Sequence, residues 1–308
     1  MLMSPSPASG PPRLFDRTLH RKRLDRAVRG YASADFLHRR AAEDVAGRLE
    51  PIMRDFTLAV DLSARQGAFR QALAESSAAS RVRLLIEADL SSAMLAGRGG
   101  PRVALDEERL PFALASLDLI VSTLGLHWTN DVVGALIQIR QALKPDGLFV
   151  GAFLGGQTLT ELRQTLMAAE SELLGGAGQR VSPFADMRDA AGLLQRAGFA
   201  LPVADLDRVS VTYAHPLKLL ADLRQMGETS VLADRHPRAL TRTLLARAAV
   251  LYVERFGDGD GRIPATFEII TLTGWSPHES QQQPLRPGSA KMRLADAVGT
   301  VEHPLPRR

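Results

Sequence analysis

Three carboxylates stand at the ends of three successive apolar runs: Asp61 after "FTLAV", Asp89 after "VRLLIEA" and Asp106 after "RVAL". A carboxylate at the second position can accept both hydroxyls of a ribose, because it offers two coplanar oxygens. One at the third can accept a bond from an adenine amino group. The plainer alternative is that each acid caps the helix that follows it. Between Asp61 and the next helical pattern lies "LSARQG" (62–67), which has the outline of a nucleotide loop but only one glycine, Gly67. Glycine serves such loops because the backbone approaches the ligand closely, at times with positive φ. Ser63 is small. Arg65 is a larger change, and its side chain has two uses open to it. It can pair with a ligand carboxylate through its guanidinium fork, or it can fill part of the pocket.

His127 and Trp128 follow the fourth apolar run, "LDLIVST" (117–123). Histidine there could act as a general base near neutral pH, and tryptophan could stack on a base or shape an acceptor pocket. Both could equally be packing residues. Other chemistries are poorly supplied. With no cysteine, disulfides, thiolate metal sites and a cysteine nucleophile are excluded. None of the seven histidines starts a His-x-Asp/Glu pattern, and His278-Glu279 is adjacent rather than spaced, so no metal site is expected. Neither a nucleophile elbow nor a Walker-type loop is present.

The elements that would hold these residues read as alternating strands and helices. Strands are expected at 56–62, 82–90, 102–106, 117–123 and 148–154, and helices at 68–77, 91–97, 131–143 and 159–174. A turn is expected at "KPDG" (144–147), and a capping box at Thr158 and Glu161. In the last of these helices Leu162, Leu166, Ala169 and Leu173 share the core face. Further on, helices are expected at 186–197, 216–225 and 237–255, the last with Leu240, Leu244, Leu251 and Tyr252 as its stripe. Two short strands are read in "GFALPVADLDRVSVTY" and a late strand at 265–275. This alternation implies an α/β fold: a doubly wound, mostly parallel sheet of Rossmann-like type that binds ligands beyond the carboxyl ends of its strands. Helices at 13–29 and 33–50 precede it as a helical lid. The expected organisation is a disordered start (1–12), the lid and basic arm (13–50), the sheet domain (51–275) with a helical insertion at about 214–256, and an extended tail (276–308).

The net charge of +4 is concentrated at the start, where residues 1–30 carry seven Arg/Lys against two Asp. This arm suits an acidic partner or a membrane surface, or is a solvated helix face. Apart from Phe15, no aromatic interleaves with it, so nucleic acid is not expected. No apolar run is long enough to span a membrane, and peripheral association stays open.

The segments "EADLSSAML", "LDEERLPFALASLDLIVSTLGLHW" and "ALIQIRQALKPDGLFVGAFLGG" resemble, in order, the core of class I S-adenosylmethionine-dependent methyltransferases. The resemblance implies S-adenosylmethionine as cofactor. It places Asp89, with Leu90 beside it, at the ribose, and Asp106 and Glu107 at the adenine. Asp61, Ser63, Arg65 and Gly67 form the loop, and Tyr31 of the lid lies near the cofactor. The family loop carries glycine at the second, fourth and sixth positions after its acid; here two of the three are Ser63 and Arg65. Both ends of the chain, "LFDRTLHRKRLDRA" and "GWSPHESQQQPLRPGSA", resemble the methyltransferase-fold arginine hydroxylases that serve complex I assembly. The core is more distantly similar to the malonyl-carrier-protein methyltransferases of biotin synthesis. The resemblance implies an enzyme that modifies a protein, an arginine of a respiratory complex I subunit, from a cytoplasmic position with access to the inner membrane. A methyltransferase on a small molecule or carrier-bound carboxylate, and a non-catalytic assembly factor with a degenerate loop, are the alternatives.

Overall fold

A computed structural model describes residues 13–235, 240–282, 289 and 292–301. The expected disordered start, residues 1–12, lies outside them. Seven strands form one sheet: β1 (Phe56–Asp61), β2 (Val82–Asp89), β3 (Arg102–Ala104), β4 (Leu117–Thr123), β5 (Leu143–Leu154), β6 (Ala200–Tyr213) and β7 (Ile263–Trp275). Their order is β3-β2-β1-β4-β5-β7-β6. The first five pair in parallel, and β7 runs antiparallel to both β5 and β6. β1 and β4 are buried at their carboxyl ends because helices cover both faces, which is why they read as continuous apolar runs.

One face of the sheet carries α2 (Phe36–Leu49), α3 (Ala68–Glu75), α5 (Thr160–Leu174), α7 (Pro216–Met226) and α8 (Arg242–Phe256) over a core that includes Leu37, Phe69, Leu119 and Phe267. The other carries α4 (Val132–Ala142) and α6 (Met187–Arg196) over Ile120, Ile139, Phe149 and Leu194. The strand order reverses between β1 and β4, so the loops after these two strands diverge there and leave a crevice at their carboxyl ends. Helix α1 (Arg17–Ala27) lies over that end, capped by Asp16, whose carboxylate accepts the Leu19 N–H at 2.9 Å.

Several local expectations are corrected. Residues 91–97 form turns rather than a helix. "KPDG" lies within β5 as an irregularity, with Asp146 at φ 62°, because the strand keeps pairing on both sides of it. Thr158 and Glu161 do not cap α5. The Glu268 N–H donates to Thr158 Oγ1 and Thr266 donates to Glu161, so both residues tie the helix start to β7 instead. The two short strands after Gly198 are the single long β6. Leu173 of α5 and Leu240 ahead of α8 are exposed, unlike the rest of their stripes. The tail includes a short helix, α9 (Leu294–Val298). The chain divides into two compact units, residues 1–277 and 278–308.

Candidate active site

The loop after β1 turns at Gly67, which has φ 81° and ends the loop as the N-cap of α3. The conformation requires glycine, and a Cβ there would also push aside the Arg98 guanidinium, 1.6 Å away. Arg65 also lies in the left-handed region, at φ 49°, and so does Leu124 after β4, at φ 52°. Two non-glycine residues in this conformation face each other across the crevice, a kind of strain that the surrounding structure must hold in place.

Arg65 is completely buried. Its backbone N–H donates to Asp89 Oδ2 at 2.9 Å and its Nη1 donates to the same oxygen at 2.8 Å. Its Nη2 reaches the Leu124 carbonyl at 3.4 Å. Asp89 Oδ1 accepts the Ser91 N–H at 2.8 Å. The side chain therefore fills the space beside the second-strand acid and engages that acid itself. Ser63 Oγ lies 3.1 Å from Ser122 Oγ and 3.4 Å from Glu107 Oε1. Asp61 is buried, and its Oδ1 faces the Ser63 N–H at 3.4 Å while Oδ2 has no partner. Burial first, and then the nearby Glu87 and Asp89, push the Asp61 carboxyl up to about 8.

At the adjoining acids a second arginine intervenes. Arg17 of α1 pairs with Asp106 at 2.8 Å and with Glu107, and its Nη1 donates to the Trp128 carbonyl at 3.1 Å. Burial pushes the Glu107 carboxyl up, opposed by Arg17 and Arg65. Beside this contact a cavity of about 600 Å³ opens, lined in part by Arg13, Arg17, Asp106, Arg109 and Asn130.

The remaining predicted residues lie in two further packing clusters. Tyr31, in a 3₁₀ turn between α1 and α2, is buried with its hydroxyl unpartnered, and it packs with Leu90, Met94 and Leu24. His127 and Trp128 lie in a 3₁₀ turn after β4. Trp128 packs among Phe15, Leu19, Val231 and Leu232, and its ring meets Phe15 edge-on at 5.4 Å. Trp128 Nε1 donates to Glu228 Oε2 at 3.0 Å, and His127 Nε2 lies 2.9 Å from the same oxygen.

Sequence reading missed four residues of this constellation: Arg17, His20, His38 and Glu228. Glu228 follows the left-handed Gly227 that ends α7, and burial among His127, His38 and Arg65 defines its state. Although desolvation alone would raise it, His127, which bonds it, and the Arg65 cation hold its carboxyl below the usual range. Burial lowers the His38 imidazole to about 3 and the His20 imidazole well below its ordinary value, so both are neutral. The seam between lid and loop is fixed by backbone bonds: Asp16 N–H to the Val231 carbonyl at 2.8 Å and Ala233 N–H to the Leu14 carbonyl at 2.9 Å.

Unpartnered buried atoms concentrate here: His20 Nε2, Tyr31 Oη, both ring nitrogens of His38, Asp61 Oδ2, Arg65 Nε, His127 Nδ1 and Glu228 Oε1. Buried polar atoms are ordinarily satisfied, so this cluster of unsatisfied ones suits a polar occupant, for which Arg65 would have to make room. The residues fit S-adenosylmethionine in donor chemistry: Asp89 for a ribose diol and Asp106 for an amino group, at the ends of neighbouring strands. Arg65 and Arg17 now hold those carboxylates, and the cofactor would take their places. Among the described residues, no group of three or more His, Asp or Glu is arranged to hold a metal ion.

Comparison with known proteins matches residues 60–151 to a methyltransferase domain family. The chain is 40% identical over 290 residues to the mitochondrial arginine-hydroxylase NDUFAF5 of Danio rerio, covering 92% of this chain and 89% of that one. It is 32% identical over 303 residues to a malonyl-[acyl-carrier protein] O-methyltransferase of Methylovorus sp. (strain MP688), covering 94% and 95%. A crystal structure of a methyltransferase candidate from Bacillus halodurans C-125 superposes with a TM-score of 0.52 at 12% identity, covering 77% of this chain and 99% of that chain, and shares the fold. With the sheet order, the buried strand-end acids and this whole-length similarity together, the chain belongs to the methyltransferase-fold family of the NDUFAF5 arginine hydroxylases.

Proposed function

We propose that this chain binds S-adenosylmethionine between its lid and sheet and modifies an arginine side chain of a protein, a subunit of respiratory complex I during assembly. One observation carries the choice of acceptor, the whole-length similarity to mitochondrial arginine-hydroxylases. The field of Glu228 and Glu107 beside Asp89 is consistent with it, since these acids raise the pKa of the buried Arg65 guanidinium although burial alone would lower it.

The cofactor, when bound, supplies an electrophilic methyl group on a sulfonium. The chain's own residues do the rest. Asp89 orients the ribose, and Asp106 and Glu107 hold the adenine end. Tyr31 and Trp128 exclude water from the chamber. His127 accepts a proton from the acceptor nitrogen, making a neutral nucleophile. Hydroxylation of the same side chain would need an oxidant from outside the described residues.

The test is titration calorimetry with S-adenosylmethionine, followed by mass spectrometry of an arginine-bearing complex I subunit incubated with protein and cofactor. Binding that is lost in Asp89→Ala, and a subunit heavier by one methylene or one oxygen at an arginine, supports the reading. Binding without modification of any arginine refutes the acceptor. No binding by wild type or by a variant freed of Arg65 refutes the cofactor, and leaves a non-catalytic assembly protein, which the closed state of the site favours.

A further inference from the structure

Glu228 has a specific geometry toward His127, beyond its burial. Its Oε2 receives two groups at once: the Trp128 indole N–H at 3.0 Å and His127 Nε2 at 2.9 Å. The indole is a donor only, so Oε2 is an acceptor. The carboxylate has no hydrogen to give, so His127 Nε2 must carry one. On a neutral ring this leaves the lone pair on Nδ1, and Nδ1 is buried with no partner. Glu228 Oε1 is also unpartnered, with His38 Nε2 at 3.7 Å, beyond a hydrogen bond. The pair therefore has the arrangement by which a buried acid fixes a catalytic imidazole, with one ring nitrogen tethered and the other left bare.

We propose that Glu228 is a positioning residue that locks His127 in the Nε2–H tautomer and so presents Nδ1 as the chamber's proton acceptor. This rests on the reading above that the chamber does chemistry. In the proton step, an N–H bond of the acceptor breaks and Nδ1–H forms. The positive charge moves to the imidazolium, whose Nε2–H remains paired with the Glu228 carboxylate.

The experiment is long-range ¹H–¹⁵N NMR of the histidine rings in the full chain at neutral pH, without cofactor or substrate. The His127 signals are assigned by their loss in His127→Gln. The expected wild-type result is an Nε2-protonated, Nδ1-bare ring. A ring protonated at Nδ1 alone, or at both nitrogens, overturns the proposal. In Glu228→Gln the ring is expected to become a mixture of tautomers, because an amide can donate as well as accept. In Trp128→Phe, which removes the other donor to Oε2, the tautomer is expected to hold. A spectrum unchanged by Glu228→Gln, or changed equally by both variants, assigns Glu228 a purely structural role. Because no cofactor is present, failure here is distinct from failure of cofactor binding or of arginine modification.

Discussion

Replacing Arg65 by glycine tests whether the loop controls access to the cofactor site. In the closed site a ribose can reach Asp89 only by displacing the Arg65 guanidinium, which donates to Asp89 at 2.8 Å. A hydrogen bond to a charged group contributes about 1.5–3 kcal/mol net. Residue 65 also sits at φ 49°, where a non-glycine residue costs about 1–2 kcal/mol relative to glycine. Arg65→Gly removes both the competitor and the conformational cost. Only the competitor bears on affinity, since the backbone relief acts with and without ligand. At 1.4 kcal/mol per tenfold, the variant is expected to bind S-adenosylmethionine about 10–100-fold more tightly. Without ligand it is expected to lose about 3 kcal/mol of stability, because Asp89 is left buried with no cation, offset by the relief at residue 65. The assay is calorimetric titration beside chemical denaturation, with Asp89→Ala as the non-binding control. Equal or weaker binding by Arg65→Gly would refute the reasoning, and would mean that the guanidinium contacts the bound cofactor, as its carboxylate would allow.

Other outcomes follow from the same geometry. Asp61 has a folded pKa of about 8 against an unfolded value near 3.9. A carboxyl raised on folding binds more protons in the native state, so stability falls as pH rises between those values. Wild type is expected to lose about 2 kcal/mol more than Asp61→Asn between pH 6 and pH 8 in urea denaturation; parallel pH profiles would contradict this. Arg17→Ala leaves Glu107 buried beside Asp106 without their cation and is expected to cost about 3 kcal/mol. Hydrogen exchange should then show α1 opening faster than α2, and equal protection of α1 in both proteins would count against its role as a latch. Trp128→Ala removes the centre of the cluster that joins Phe15 to Val231 and Leu232, with an expected loss of about 3–5 kcal/mol by thermal or chemical unfolding.

The sheet and its crevice were legible because their signals are local. Each parallel strand is a short apolar run closed by an acid or a turn, and its length and flanking residues separate it from the helices between. The residues that close the site were not legible. Arg17 reads as one of seven basic residues in an arm, and only the folding of α1 over β3 brings it 89 residues along the chain to Asp106. Glu228 lies beyond a helix cap with no motif around it, and meets His127 across 101 residues. A left-handed Gly227 placed just before it was the one available hint. Arg65 was singled out from the sequence with two uses open, and its side chain takes the pocket-filling one here. Thr158 and Glu161 show the opposite failure: their spacing is that of a cap, but β7 offers both side chains better partners than the helix start does.

The short backbone seam between Leu14–Asp16 and Val231–Ala233 joins the strap that bears Arg17 to the loop that bears Glu228. On the proposed reading, Arg17 stands at the adenine end and Glu228 at the reacting end, and these two backbone bonds tie their segments edge to edge. Admission of a nucleoside and of an acceptor would then be one event rather than two, because neither segment can lift without breaking the bonds that hold the other.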